Sequence, residues 1–169
     1  IHLSLRALLS AGLALLVGLP LLAAAKVPHV CLTVLTRETI DGKPEERGRA
    51  AGAILKGLTD QGVCIVDAAG LGGLSKAVED GKLAGRFDQV DWIVVATVDS
   101  NKLAEGVMGT SFVRYEAALD AKVLASDSGE VVGAFTVKGQ GMDLQPRASA
   151  QMAAEQAAKR LVASFAQEA

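Results

Sequence analysis

Aromatic side chains are scarce in this chain, with four Phe, one Trp and one Tyr among 169 residues. A core made without them must be packed closely from small aliphatic groups, and the 18 glycines point the same way. Histidine is scarcer still: only His2 and His29 are present. A Ser-His-Asp triad would have to draw on His29, which stands beside Pro28 at the start of a strand, and no G-x-S-x-G elbow exists to hold a nucleophile. No His/Cys spacing matches a metal-ligand pattern. Long runs of one charge are also missing. With 17 basic and 19 acidic residues the net charge is −2, which leaves no electrostatic case for nucleic acid or an anionic membrane surface.

Two phosphate motifs fail on spacing. Gly70-Leu71-Gly72-Gly73-Leu74-Ser75-Lys76 follows a strand and precedes a helix, but the Walker order is absent because Ala77 follows Lys76. The dinucleotide fingerprint fails because Ser75 stands where the third glycine belongs. The cluster reads as a flexible turn, with a small-ligand or glycan-binding mouth as the alternative use. No cofactor and no catalytic residue is expected, so the chain reads as a non-enzyme.

What is present begins with the leader. Arg6 is the one formal charge in residues 1–25, the apolar run from Ala7 to Leu22 is broken by Pro20, and Ala23-Ala24-Ala25 closes it. A basic start, an apolar stretch and an A-x-A ending are the parts of a secretory signal peptide. The run is shorter than the ~20 residues of a spanning helix, so no stable membrane insertion is expected after cleavage. Residues 1–25 are therefore the expected signal peptide and 26–169 one α/β domain in the periplasm or outside the cell. Acylation is not expected, because Cys31 follows Pro28-His29-Val30, too late and behind residues too bulky. Loss of Arg6 takes the net charge to −3.

Cys31 and Cys64 are the only cysteines, and an exported protein can keep a disulfide. Both fall in apolar segments read as strands, His29–Thr36 and Val63–Asp67. Neighbouring strands would permit a bridge, and closing a ~33-residue loop would contribute roughly 3–4 kcal/mol. Two buried thiols acting as small hydrophobes are the alternative.

Further along, Arg37 to Lys43 reads as a polar turn and Pro44 as the first residue of a helix, with Glu45 and Glu46 at its positive end. Ala51, Ile54, Leu55 and Leu58 supply its apolar face, and Gly48 and Gly52 suggest close packing on a sheet. A short helix covers Leu74–Asp80, and Leu83 and Phe87 are expected core plugs. Trp92 to Val98 is a near-continuous apolar run, as in a strand covered on both faces.

From Val113 to Val123 apolar and polar residues alternate, giving a strand with one wet face. Asp127-Ser128-Gly129 reverses the chain, and Val131 to Lys138 returns. A three-residue loop pairing Ser126 with Glu130 would set Val123, Ala121 and Leu119 opposite Gly133, Phe135 and Val137, all facing the core. After Gly139-Gln140-Gly141, a helix over Pro146–Gln167 carries the stripe Ala150, Ala154, Ala157, Leu161 and Phe165. The order is β-α-β-α-β-β-β-α: a single sheet with a parallel core, an antiparallel C-terminal hairpin and helices packed on it.

The wet face of the long strand carries Arg114, Glu116, Asp120 and Lys122. Glu116 and Asp120 lie about 13 Å apart at strand rise, too far for a glycosidase pair. The row reads instead as a solvated salt-bridge ladder and as the candidate face for a polar protein partner.

Three short motifs carry a family likeness: Gly62-Val63-Cys64-Ile65-Val66-Asp67, Asp91-Trp92-Ile93-Val94-Val95, and Asp127-Ser128-Gly129-Glu130-Val131 before an Ala-rich helix. In this order the chain resembles the small α/β envelope domains related to the N-terminal domain of the Tol-Pal translocation protein TolB. Similar domains occur in the curli secretion lipoprotein, the penicillin-binding-protein activator lipoproteins and the middle domain of flagellar assembly protein T. The resemblance implies a non-catalytic role in assembling or regulating an envelope structure, through an envelope protein partner and in some relatives a homo-oligomeric ring. The lipidation Cys and the long pore hairpin of some relatives have no counterpart among these motifs.

Overall fold

The computed structural model describes residues 30–168, so the expected leader and His29 lie outside the described residues. The strands are β1 (Cys31–Ile40), β2 (Lys43–Pro44), β3 (Cys64–Ile65), β4 (Trp92–Glu105), β5 (Val113–Ala125) and β6 (Val131–Asp143). The helices are α1 (Ala50–Asp60), α2 (Leu74–Glu79) and α3 (Pro146–Glu168). One mixed sheet runs β2-β1-β4-β5-β6, with β3 also paired to β1. β1 is parallel to β3 and β4, whereas β4, β5 and β6 form an antiparallel meander. The expected α/β class, parallel core and antiparallel hairpin are all present. No helix among the described residues is long and apolar enough to cross a membrane.

α1 and α3 cover one face of the sheet. Their shared core contains Ile54, Leu58, Val94, Val98, Leu119 and Leu161, all at most 2% exposed. α3 meets the sheet through Ala150, Ala153, Ala154, Ala157 and Ala158, which are fully buried. On the opposite, outer face, the connection from β3 to β4 lays Leu71, Leu74, Leu83, Phe87 and Val90 over Ile93. The first half of β4 is therefore covered on both sides, which explains its continuous apolar run. Leu83 and Phe87 plug this second cluster as expected. The three helices do not share one side, since α2 lies on the outer face.

Several boundaries differ from the sequence reading, each for a local reason. β1 runs on to Ile40 because Asp41 (φ 49°) and Gly42 (φ 75°) form a two-residue turn that pairs Ile40 with Lys43. Left-handed Asp-Gly is the sequence of a tight type I′ hairpin. Pro44 thus ends a strand rather than opening a helix, and the Glu45 N–H donates to the Glu38 carbonyl at 2.8 Å. α1 starts only at Ala50, with no acidic residue in its first turn. Its buried residues are Ala50, Ile54 and Leu58, while Leu55 is exposed. The expected close approach to the sheet is present at Gly48, where a β carbon would overlap the Glu38 side chain of β1, whereas Gly52 has open space around it. A second close approach comes at Gly57, where a β carbon would lie 2.9 Å from the Val162 methyls.

The hairpin register matches: Val123, Ala121 and Leu119 face Gly133, Phe135 and Val137. Near the turn the pairing shifts by one, placing Leu124 opposite Val131 and leaving Val132 as a bulge. Ser126 is consequently free of the ladder. Its N–H donates to the Asp91 carbonyl and its Oγ to the Val90 carbonyl, tying the turn to the start of β4. Gly129 is left-handed, as the turn requires. β6 also continues through Gly139 and Gly141 to Asp143, because α3 needs both glycines as its floor.

Candidate interaction face

Strand alternation places Arg114, Glu116, Asp120 and Lys122 together on the outer face of β5. The connection over the lower part of that face leaves its upper part open. Across the ladders, Asn101 and Gln140 flank Glu116, Asp99 and Lys138 flank Ala118, and Thr97 and Thr136 flank Asp120. β1 adds Arg37 beside Thr97 and Thr39 beside Asp99. The result is a polar plateau four strands wide.

Its charges pair across strands rather than along β5. Lys138 Nζ lies 2.9 Å from Glu116 Oε1, and Gln140 Nε2 donates to Glu116 Oε2 at 3.4 Å. The Lys138 ammonium, followed by Gln140, holds the Glu116 carboxyl below its ordinary value. Asp120 accepts from the Thr136 hydroxyl, and Asp99 from that of Thr39, both at 2.6 Å. Arg37 pairs with Glu79 of α2 at the border of the covered region. The expected ladder along β5 is thus replaced by cross-strand pairs, while Arg114 and Lys122 hold no ion pair among the described residues. Antiparallel neighbours sit about 4.5–5.5 Å apart and residues i and i+2 about 7 Å, so the ladder wins.

The outer edge of β6 is guarded. Gln140 N–H donates to Gln156 Oε1 at 2.6 Å, and Arg160 Nη1 donates to the Lys138 carbonyl at 2.7 Å. Two outward backbone groups at the centre of the edge strand are therefore occupied by α3, which opposes pairing with another strand there.

The remaining sequence candidates have separate places. Cys31 and Cys64 are register partners on β1 and β3, with Cα atoms 4.5 Å apart, and the structure joins them by a disulfide. Gly70 ends a 3-10 turn, and residues 71–73 lead from it into the six-residue α2, with Leu71 and Leu74 buried beneath. Asp67 caps that turn by accepting from the Ala69 N–H at 3.0 Å.

Two polar positions escaped the sequence reading. Glu38, 7% exposed, points to the helix face of β1 and accepts from the Ala50 N–H at 3.1 Å. It supplies the N-terminal acceptor that α1 lacks in its own sequence. Burial pushes its carboxyl above the ordinary value, against the opposing pull of the Ala50 and Arg49 N–H groups. Tyr115, 2% exposed, donates to Asp41 Oδ2 at 2.7 Å, and burial followed by that carboxylate pushes its hydroxyl up to about 12. Nothing local marks Glu38, but Asp-Gly after a strand is a readable sign for Asp41.

No family model matches the chain, and no curated protein matches it. Solved structures do. The hypothetical protein CT253 from Chlamydia trachomatis aligns with a TM-score of 0.54 at 10% identity, over 80% of this chain and 95% of that one. The PelC dodecamer from Paraburkholderia phytofirmans gives 0.50 at 11% identity, over 79% and 86%. A homolog of the neuraminyllactose-binding hemagglutinin from Helicobacter pylori gives 0.50 at 10%, over 83% and 82%. At these identities the likeness is one of fold: this chain has the fold of these small bacterial α/β proteins.

Proposed function

We propose that this is a non-catalytic protein of the bacterial envelope that works by docking protein partners on the outer sheet face around Glu116 and Asp120. The observation that carries the reading is the plateau itself, a broad surface of cross-paired side chains beside a guarded edge. Such a face offers oriented donors and acceptors in matched pairs, which gives specificity to a docking contact. Residues 1–25 act as a cleaved signal peptide in this reading, and Cys31 is held by Cys64 rather than acylated. The three TolB-type motifs support an envelope setting. The fold shared with a dodecameric protein is consistent with self-assembly, so a second copy is one candidate partner.

Light scattering on the size-exclusion-purified exported form, Lys26–Ala169, tests self-assembly. Crosslinking in the native envelope, with photoreactive groups at Arg114 and Lys122, tests a different partner. We expect a discrete complex in one of the two, lost in the charge-swapped Glu116→Lys/Asp120→Lys variant without change in circular dichroism. A monomer with no specific adduct at either position overturns the reading.

A further inference from the structure

Cys31 fastens both ends of one long connection. Residues 66–90 cross the outer face between β3 and β4 as a strap. Its internal backbone hydrogen bonds are local, such as Leu71 to Ala68, Ala77 to Gly73 and Arg86 to Leu83. Its backbone ties to the sheet, among the described residues, sit at the two ends. At the start, the Val66 N–H donates to the Leu32 carbonyl at 2.8 Å, and Cys64 is bonded to Cys31. At the finish, the Asp91 N–H donates to the Cys31 carbonyl, and the Cys31 N–H donates to Asp91 Oδ2, each at 2.8 Å. Ser126 adds its bonds to the Val90 and Asp91 carbonyls.

Between those ends the strap is held by side chains alone: its apolar plugs and the exposed Arg37–Glu79 pair. Gly73, Gly81 and Gly85 are left-handed, so ordering them costs more conformational entropy than ordering other residues. The β1–β3 ladder spans two residue pairs, too short to secure the start by itself. Beneath the strap lies an apolar floor of Leu35, Ile93, Val95 and Leu124.

We propose that the Cys31–Cys64 disulfide is a redox-operated latch, and that its reduction by a dithiol lets residues 66–90 lift from this floor. The Cys31–Cys64 S–S bond breaks and the two sulfurs take two electrons and two protons from the dithiol, which becomes a disulfide. Both cysteines are half-buried, and β3 has no strand on its outer side among the described residues, so a small thiolate reaches the bond. The far end stays tied through Asp91, which makes the motion a hinge rather than a release. The latch acts on the lower part of the outer face and is independent of the partner contact proposed for the upper part.

Hydrogen–deuterium exchange on the full chain, oxidised and in dithiothreitol, reads this directly. Reduction is expected to speed exchange in residues 66–90 at least tenfold while amides of β5 and β6 change less than twofold. Cys64→Ser without reductant should reproduce the reduced pattern in the same segment. Equal acceleration in β5 and β6 makes the bridge a general staple and overturns the latch, as does unchanged exchange in the strap. If the serine variant fails to fold, the reduced wild-type chain decides alone.

Discussion

Gly139 of β6 and Ala153 of α3 meet backbone to backbone, with a β carbon at Gly139 overlapping the Ala153 carbonyl oxygen. Two residues on, a β carbon at Gly141 would lie 2.7 Å from the Ala153 nitrogen. The alanine-lined helix sits directly on glycine, which is how a chain with so few aromatics closes its core.

Gly139→Ala and Gly141→Ala should each destabilise the fold by about 2–3 kcal/mol, since the obstructing atoms are backbone and cannot turn aside. Thermal unfolding should fall by roughly 5–10 °C. An unchanged midpoint would show that α3 stands off the sheet.

Gly52→Ala should do the reverse. Gly52 lies within α1 with open space around it, so alanine gains helix propensity of up to about 1 kcal/mol and meets no obstacle. Gly57→Ala, facing Val162, should destabilise. Equal effects at both positions would contradict the α1–α3 contact.

Tyr115 is the only tyrosine, so ultraviolet phenolate absorbance titrates it alone. Ionisation should centre at about 12 rather than 10. Because the folded value is raised, its contribution to stability is complete below pH 10 and is lost as pH climbs through about 12. Tyr115→Phe should cost about 1–3 kcal/mol by removing the hydroxyl's bond to the charged Asp41. Titration near 10 in the folded protein would refute the Asp41 bond.

Glu38 should give stability a slope of opposite sign to the other shifted glutamates. Its carboxyl is raised above 4.5 by burial, so the folded state binds the proton more tightly. Glu38's contribution to stability is therefore greatest below 4.5 and declines as pH rises through its own value. Glu45, Glu116 and Glu155 are lowered by Arg147, Lys138 and Lys159 respectively, and their contributions vanish as pH falls below 4.5. Glu38→Gln should flatten the decline above 4.5 and leave the acid limb intact. Denaturant unfolding across pH 3–8 distinguishes the two limbs, and an unaltered profile in the variant would clear Glu38 of the effect.

Local patterns were legible where one residue's neighbours decide its face. Alternation along β5 specified the wet row and the register opposite β6, because a slip of one residue would turn every apolar side chain to solvent. The α3 stripe and the doubly covered start of β4 were readable for the same reason. Motif residues also proved to have local duties: Asp67 caps a turn and Gly129 takes a left-handed φ.

Other features needed the folded chain. The turn slipped by one residue where Ser126 finds partners at Val90 and Asp91, just ahead of β4 and far away in sequence. The returning strand was expected to stop at Lys138, ahead of Gly139-Gln140-Gly141, since nothing local reveals that a helix backbone will need the space of two missing side chains. Glu38 as the cap of α1, the cross-strand partners of Glu116 and Asp120, and the meeting of Cys31 with Cys64 depend on which strands become neighbours. The sequence by itself determined the kinds of elements and the faces they bury, because periodicities of 2 and 3.6 are written along the chain. Only the tertiary structure decided what covers each face and which distant residues touch, because those choices rest on packing between segments that share no local signal.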